Sequence, residues 1–481
     1  PPAGEEAVLV WEAMGLICLE LGEYAEAARC LWEAMRLDPS SPTLYMQLSQ
    51  ALQRSGRLAE AEVVSKRARL VYELTTLLDR MHQLPGQAPM MRQFAKSLAR
   101  VGRFIEARRW FELASGGFLD AEARAVLGRS PGAADSVAQV HPDFDLTRIL
   151  DLSSLPLPGV PRRDTRPLAA AGSKLERLPA VKMHDQAPSV GLQFVYCNTY
   201  TPRRLVMEAY GAGCAALDYD GDGRPDAYFP QAYVWPDNGG RPRCSDRLFR
   251  NLPEGRFEDV TAAAGINQTG FGQGPAAGDF DNDGDIDLYV ANFERNVLLV
   301  NNGDGTFEAA EVGGLTDWDG WSVGAAWADL DRDGNLDLYV LNYVGGPDVL
   351  RLSCPGKDGL PRVCVPDAYP AEQDRLLLNL GDGRFREVTA EAGVTAPDGK
   401  GLGVMIADLD GDMWLDIYVT NDRTPNFLFR NCTNAGSSIR FQEEGIYAGA
   451  ALDGSGIAQS GMGIACGDAN GDGRLDLFVT N

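Results

Sequence analysis

The stretch DYDGDGRPDAYF, residues 218–229, places Asp218, Asp220, Asp222 and Asp226 within nine positions and then turns apolar. Crowded carboxylates raise one another's pKa unless a cation sits among them. A hard divalent cation suits the set, since calcium takes six to eight oxygens from carboxylates, carbonyls and water. Alternate spacing in a tight loop turns Asp218, Asp220 and Asp222 toward one centre. Gly223 permits the turn, the carbonyl of Arg224 offers a further ligand, and Asp226 closes the site. Position twelve is Phe229, where an EF-hand loop needs Glu. The flank Ala-Tyr-Phe reads as a strand, so the spacing predicts a calcium loop between strands.

The pattern returns four times: DFDNDGDIDLYV from Asp279, DLDRDGNLDLYV from Asp329, DLDGDMWLDIYV from Asp408 and DANGDGRLDLFV from Asp468. The expected ligands are Asp279, Asp281, Asp283, Asp285 and Asp287 in the second loop. In the third they are Asp329, Asp331, Asp333, Asn335 and Asp337. In the fourth they are Asp408, Asp410, Asp412 and Asp416, and in the fifth Asp468, Asn470, Asp472, Arg474 (by its carbonyl) and Asp476. Met413 replaces the loop glycine of the fourth copy and Asn470 an aspartate of the fifth, so these two sites are expected to be weaker. Each loop runs into alternating apolar residues, as in a half-buried strand. Position twelve is never Glu.

More repeats around each loop. Small-residue strands precede them (GAGCAALDYD, GQGPAAGDFD, GAAWADLD, GLGVMIADLD, GMGIACGDAN), as suits packing at a crowded axis. Hairpins follow the first three (RLFRNLPEGRFEDVT, VLLVNNGDGTFEAAE, LLLNLGDGRFREVT), with turn chemistry for tight β connections. Successive loops start 61, 50, 79 and 60 residues apart. A period near this length with about four short strands per unit reads as propeller blades.

These residues resemble the FG-GAP/VCBS repeats, the calcium-bearing blades also found in integrin α heads. The D-x-D-x-D-G-x-x-D-L-Y-V loop with its following hairpin is closest to the ASPIC/UnbV, cartilage-acidic-protein-like branch. LNYVGGPDVLRLSCPGKDGLPRVCVPDAYP, residues 341–370, resembles that branch's cysteine-bearing insertion. The resemblance covers 186–481. It implies a propeller, up to five calcium ions held by the loop aspartates, and an exported protein; it implies no agreed activity. The chain stops at Asn481, directly after the fifth loop strand, so the natural protein is expected to continue.

The first third reads differently. VLVWEAMGLICLELGEYAEAARCLWEAMRLDPSS, residues 8–41, resembles a tetratricopeptide (TPR) repeat, with Trp11, Met14, Gly15, Gly22, Tyr24, Ala27, Ala34 and Pro39 on its pattern. A second copy runs from Pro42 with Tyr45, Leu48, Gly56, Leu58, Ala61 and Ala68. A third runs from Ala88 with Phe94, Ala95, Gly102, Phe104, Ala107, Phe111 and Ala114. Such solenoids present a concave face to another protein. Between the two regions the chain is rich in Pro, Ala and Arg and reads as a semi-extended linker that can lie along a domain surface. The expected organisation is therefore multidomain, α plus all-β: TPR-like helical repeats over 1–127, a linker over 128–185 and a calcium-binding β-propeller over 186–481.

A net charge of −24 argues against nucleic acid as a partner, and no apolar run is long enough to span a membrane. Cys354 and Cys364, in a proline-glycine loop, are a disulfide candidate that favours an oxidising compartment, periplasmic or extracellular. Cys432 with Cys466, and Cys197 with Cys214 or Cys244, remain open. Cys18 and Cys30 read as buried thiols. Reactive constellations are scarce: His82, His141 and His184 lie outside the repeats, no Cys-x-x-Cys-His or zinc spacing occurs, and Gly454-Ser455-Gly456 lacks the flanks of a nucleophile elbow. The reading is a non-catalytic scaffold that binds protein through the concave helical face or the propeller face, as an accessory subunit of an extracytoplasmic complex. The alternative is a carbohydrate-binding or carbohydrate-active module, its chemistry on the propeller face or in a further C-terminal part, with Trp235, Trp318, Trp321 and Trp414 as its aromatic candidates; the bland reading of those tryptophans is packing.

Overall fold

The computed structural model describes residues 5–83, 87–128, 144–158, 183–197, 201–233 and 244–481, apart from 357, 397, 435 and 455. Trp235, His141 and much of the expected linker lie outside these. The chain divides into two compact units, Pro1–Lys182 with Ile446–Ile457, and Met183–Gly445 with Ala458–Asn481.

The first unit is helical. Three hairpins, α1 (Glu5–Glu20) with α2 (Tyr24–Leu37), α3 (Pro42–Arg54) with α4 (Leu58–Gln83) and α5 (Ala88–Arg100) with α6 (Phe104–Ala114), follow the TPR pattern, and α7 (Ala121–Leu127) comes after them. Ser41 caps α3 by accepting the Leu44 N–H, with Pro42 in the first turn. Gly22, Gly56 and Gly102 hold the same left-handed turn in the three hairpins, a conformation that strains any residue with a Cβ. A Cβ on Gly15 would lie 2.6 Å from Leu31 Cγ, so the small residue is what lets α1 and α2 approach. Residues 144–158, within the expected linker, are built into this core. A short helix, α8 (Leu146–Ile149), is capped by Asp145, Leu146, Leu150 and Leu152 are buried against α2–α4, and Trp32 Nε1 donates to Leu150 O at 3.1 Å. Ile446 and Ala451 of this unit's second stretch join the same cluster.

The second unit is an incomplete propeller of antiparallel blades. Blade 1 holds β1 (Ala215–Leu217), β2 (Asp226–Phe229), β3 (Arg247–Asn251) and β4 (Phe257–Asp259). Blade 2 holds β5 (Phe271–Gly278), β6 (Asp287–Arg295), β7 (Val297–Asn301) and β8 (Phe307–Ala310). In blade 3, β9 (Asp319–Ala328) and β10 (Asp337–Asn342) are separated from β13 (Arg375–Asn379) and β14 (Phe385–Glu387) by an insertion with the small hairpin β11 (Cys354–Pro355) and β12 (Pro361–Arg362). Blade 4 holds β15 (Gly401–Ala407), β16 (Asp416–Asn421), β17 (Phe427–Asn431) and β18 (Phe441–Glu443), and a fifth blade is represented by β19 (Ile464–Gly467) and β20 (Asp476–Val479). The end of β6 also pairs with β9, Phe293 opposite Trp321, which joins blades 2 and 3 into one sheet.

Every loop connects the first strand of a blade to the second. β2 alternates between buried and half-buried as expected, but two other second strands differ: all six residues of β10 and of β16 are buried. They lie in the middle of a blade whose faces are covered by its neighbours, so no side of them meets water. The first strands pack as their small residues suggest. A Cβ on Gly274 would meet Val323 O at 2.3 Å, and one on Gly403 would meet Met462 O at 2.5 Å. Two disulfides occur, Cys197–Cys244 and the expected Cys354–Cys364. Cys432 and Cys466 are free, against one of the pairings left open by sequence, as are Cys18, Cys30 and Cys214.

Candidate metal centres

Each loop is shaped by its own carboxylates. The first aspartate accepts the N–H groups of the fifth and sixth residues in loops 1, 2, 3 and 5: Asp218 from Asp222 and Gly223 (3.0 and 2.8 Å), Asp279 from Asp283 and Gly284 (both 3.1 Å), Asp329 from Asp333 and Gly334 (both 3.1 Å), and Asp468 from Asp472 and Gly473 (3.0 and 2.9 Å). In loop 4, Asp408 keeps the sixth residue, Met413 (2.9 Å), and takes the fourth, Gly411 (2.8 Å), in place of the fifth. The fifth aspartate caps the N–H two residues on, as Asp283 does for Asp285 and Asp412 for Trp414. Two positions per loop are left-handed, the fourth and the sixth. The sequence pattern points to the sixth alone; the fourth is Gly221, Asn282, Arg332, Gly411 and Gly471. Met413 carries this backbone at φ 72 with its side chain exposed. Met413→Gly should therefore stabilise the β unit by roughly 0.5–1 kcal/mol, the left-handed penalty less the flexibility of glycine, read as a higher denaturation midpoint. A lower midpoint would show that the Met side chain makes a contact that outweighs the strain.

The ninth-position aspartates sit at the start of the second strands and, in blades 1 to 4, are almost fully buried. Asp226, Asp287, Asp337 and Asp416 each accept one N–H from the second residue of their own loop: Tyr219, Phe280, Leu330 and Leu409. Each also accepts one from the asparagine that ends the third strand of the blade: Asn251, Asn301, Asn379 and Asn431. Burial pushes Asp287 and Asp337 up to about 7 and raises Asp226 and Asp416. The asparagines were not among the sequence candidates, although they recur in RLFRN, VLLVN, LLLN and LFRN. Their side chains reach backward. Asn301 Nδ2 donates to Tyr219 O (2.8 Å), Asn379 Nδ2 to Phe280 O (2.7 Å) and Asn431 Nδ2 to Leu330 O (3.1 Å), each time the second residue of the preceding blade's loop.

Four loops gather three carboxylate oxygens within 4.8 Å of one another: Asp218, Asp220 and Asp226; Asp279, Asp281 and Asp287; Asp329, Asp331 and Asp333; Asp408, Asp410 and Asp416. Asp222, Asp283 and Asp412 stand outside these trios and cap backbone, as does Asp333 within its own. Asp337 is held by backbone donors, and Asp285 lies against the hairpin turn at Gly303. Asn335 accepts from Asn282 Nδ2 at 3.1 Å, which links loops 2 and 3 laterally. The fifth loop, with Asn470 donating to Asp472 at 3.2 Å and Asp476 accepting the Ala469 N–H at 2.9 Å, forms no such trio among the described residues. Burial, then the neighbouring Asp283 charge, raises Asp281; burial and then Asp333 raise Asp331. Oδ1 of Asp220 is buried without a hydrogen-bond partner. Hard oxygens crowded at like charge, one of them lacking a donor, fit a hard divalent cation.

The tryptophan candidates among the described residues are engaged in packing. Trp321 is buried in an aromatic cluster with Tyr210, Phe293 and Tyr343, Arg375 lies over Trp318 and Arg332 over Trp414. No helix among the described residues is long and apolar enough to cross a membrane.

A model of the FG-GAP-like repeat matches residues 218–290, 279–340, 357–419 and 408–479, each match ending at the twelfth residue of a loop, and one of the tetratricopeptide repeat matches residues 8–51. Cartilage acidic protein 1 of Homo sapiens is 29% identical over 279 residues, 56% of this chain and 30% of that protein. The Mus musculus protein of the same name is 27% identical over 276 residues, with the same coverages. The chain thus spans less than a third of the length of these curated relatives. Two solved structures are similar at low scores. One is an Agrocybe aegerita lectin described as recognising non-reducing terminal N-acetylglucosamine, at 16% identity and TM-score 0.29, over 55% of this chain and 56% of that one. The other is a GH43_1 enzyme from Xanthomonas citri, at 18% identity and TM-score 0.27, over 49% and 73%. Scores of this size carry no argument about role.

Proposed function

The chain belongs to the FG-GAP-like repeat family, and from that premise we propose that it is a non-catalytic scaffold, a calcium-stabilised propeller joined to a TPR module that assembles with another protein outside the cytoplasm. The observation that carries this reading is the fourfold recurrence of a carboxylate trio at the same place in successive blades. A catalytic centre has no need of four copies; a structural ion does. Calcium would be held by Asp218, Asp220 and Asp226 in loop 1, by Asp279, Asp281 and Asp287 in loop 2, by Asp329, Asp331 and Asp333 in loop 3, and by Asp408, Asp410 and Asp416 in loop 4. When bound it supplies positive charge that relieves the repulsion within each loop. The first aspartate and the two left-handed positions preshape the loop, and the ninth aspartate anchors it to the third strand. Two disulfides support an oxidising compartment, where calcium is also abundant. The apolar exposed side chains of α1, Leu9 and Ile17, with Leu21 just beyond its end, favour a protein partner for the helical repeats.

Two measurements test this. Asp281→Asn with Asp283→Asn should lower the melting temperature in millimolar calcium by on the order of 5 °C, because a ligand at a hundredfold its Kd stabilises by about 2.7 kcal/mol. An unchanged melt would mean that loop 2 holds no structural ion. A native pull-down of the full chain in calcium, washed with calcium or EGTA and read by mass spectrometry, should yield a stoichiometric protein partner. Its absence from both washes would end the scaffold reading.

A further inference from the structure

The four trios are not equivalent, and the difference lies in one residue of the third strand. In blade 1 the residue before the clamp asparagine is Arg250. Its Nη2 lies 2.5 Å from Asp220 Oδ2 and 3.3 Å from Asp222 Oδ2, and Arg224 pairs with Asp222 as well. In blade 4 the same register holds Arg430, whose Nε lies 2.5 Å from Asp410 Oδ2. Asp220 and Asp410 both occupy the third loop position and both belong to a trio. In blades 2 and 3 this register holds Val300 and Leu378. Among the described residues, no arginine or lysine is paired with a carboxylate of loop 2 or loop 3; Arg332 of loop 3 lies over Trp414 instead. Loop 2 thus concentrates five uncompensated carboxylates, Asp279, Asp281, Asp283, Asp285 and Asp287.

We propose that Arg250 and Arg430 are built-in cations that weaken divalent-ion binding at loops 1 and 4, so that loops 2 and 3 are the tight sites. This rests on the calcium reading above and refines it. A guanidinium on a trio carboxylate competes in two ways: it cancels part of the charge that attracts the ion, and its contact must be given up or shared when the carboxylate turns to the metal. For partly exposed pairs of this kind the penalty is on the order of tenfold in affinity. The resulting order differs from the one suggested by glycine and aspartate substitutions alone, under which the first three loops are alike.

The test is calorimetric titration of calcium into the metal-stripped full chain, repeated for Arg250→Val and Arg430→Leu, which install the apolar type found in blades 2 and 3. The expected result is two tight ions in the unaltered chain, with further uptake about tenfold weaker, and one additional tight ion in each variant. Arg250→Lys keeps the charge and should leave the distribution as it is. Terbium gives a site-resolved readout for loop 4, since Trp414 stands in that loop and sensitises the ion; Arg430→Leu should bring its emission to lower terbium concentration. Four equal sites in the unaltered chain, or variants with an unaltered distribution while calcium still binds, would overturn the inference and leave the calcium reading standing. No calcium uptake by any of the proteins would overturn both.

Discussion

Asn379→Ala should lower the stability of the β unit by about 2–4 kcal/mol, and Asn301→Ala by a similar amount, since each takes the amide donor from one buried and one partly buried carbonyl, at about 1–3 kcal/mol apiece. Asn379 is 4% exposed and Asn301 2%. The Asn379 amide spans from Leu336 O (3.2 Å) in its own blade to Phe280 O (2.7 Å) in the preceding blade, and its Oδ1 accepts the Gly381 N–H. Asn301 does the same between Ile286 O, Tyr219 O and the Gly303 N–H. Asn251 supplies the internal control: its amide reaches Pro225 O of its own blade, at 3.1 Å, and is more exposed. Asn251→Ala should therefore cost the least of the three. Denaturant unfolding followed by tryptophan fluorescence gives the ranking. Equal losses at all three positions would mean that the clamp does not join blades.

The second large effect is a dependence on pH. Asp246 and Asp374, each just before a third strand, are buried. Asp246 accepts Tyr228 OH (2.5 Å) and the Gln231 N–H (2.7 Å), while Asp374 accepts Tyr339 OH (3.0 Å) and the Asn342 N–H (2.8 Å). Burial pushes both carboxyls up to about 7. A carboxyl of raised pKa binds its proton more tightly folded than unfolded. The stability it contributes is complete below the unfolded value near 3.8 and is lost as pH rises through about 7. Blades 2 and 4 carry an amide at the same place: Asn296 accepts the Asn292 N–H, and Asn426 accepts the Asn421 N–H while donating to Tyr418 OH at 3.0 Å. The slot accommodates an amide with the tyrosine bond reversed. Asp246→Asn with Asp374→Asn should leave stability at pH 4 nearly unchanged and raise it at pH 8. The gain per carboxyl is about 1.4 kcal/mol for every pH unit that separates its folded and unfolded pKa. The melting temperature against pH in saturating calcium reads this. A double variant that melts lower at pH 8 would mean that the carboxylates are ionised and well solvated by their donors.

Much of the site is legible in the residues. Carboxylate spacing is local, so five loops that share an alternating acidic pattern and an apolar tail, four of them Asp-x-Asp-x-Asp and four with the glycine at the sixth position, suffice to read strand, loop and strand, and the loop period suffices for blades. The trios at loops 1, 2 and 4 use the first, third and ninth aspartates of that pattern. The helical hairpins are legible for the same reason, because Gly15, Gly22 and Ala27 act on neighbours within one repeat. The clamp asparagines repeat just as visibly but have no local reason to matter. Asn379 and Phe280 O, or Asn431 and Leu330 O, meet only when one blade is laid on the next. The same is true of the core role of residues 144–158, whose leucines look like linker until the helices that bury them are in place.

What the sequence by itself determined is therefore the chemistry of the loops and the order of the repeats, because backbone turns and oxygen ligands a few residues apart depend on nothing distant. What only the tertiary structure decided is which carboxylates remain available to an ion. Asp337 is drawn to the Asn379 N–H of the third strand and Asp220 and Asp410 to arginines of the third strand, whereas no arginine or lysine among the described residues pairs with Asp281. Competition among partners brought together by folding, and not ligand type, sets that difference.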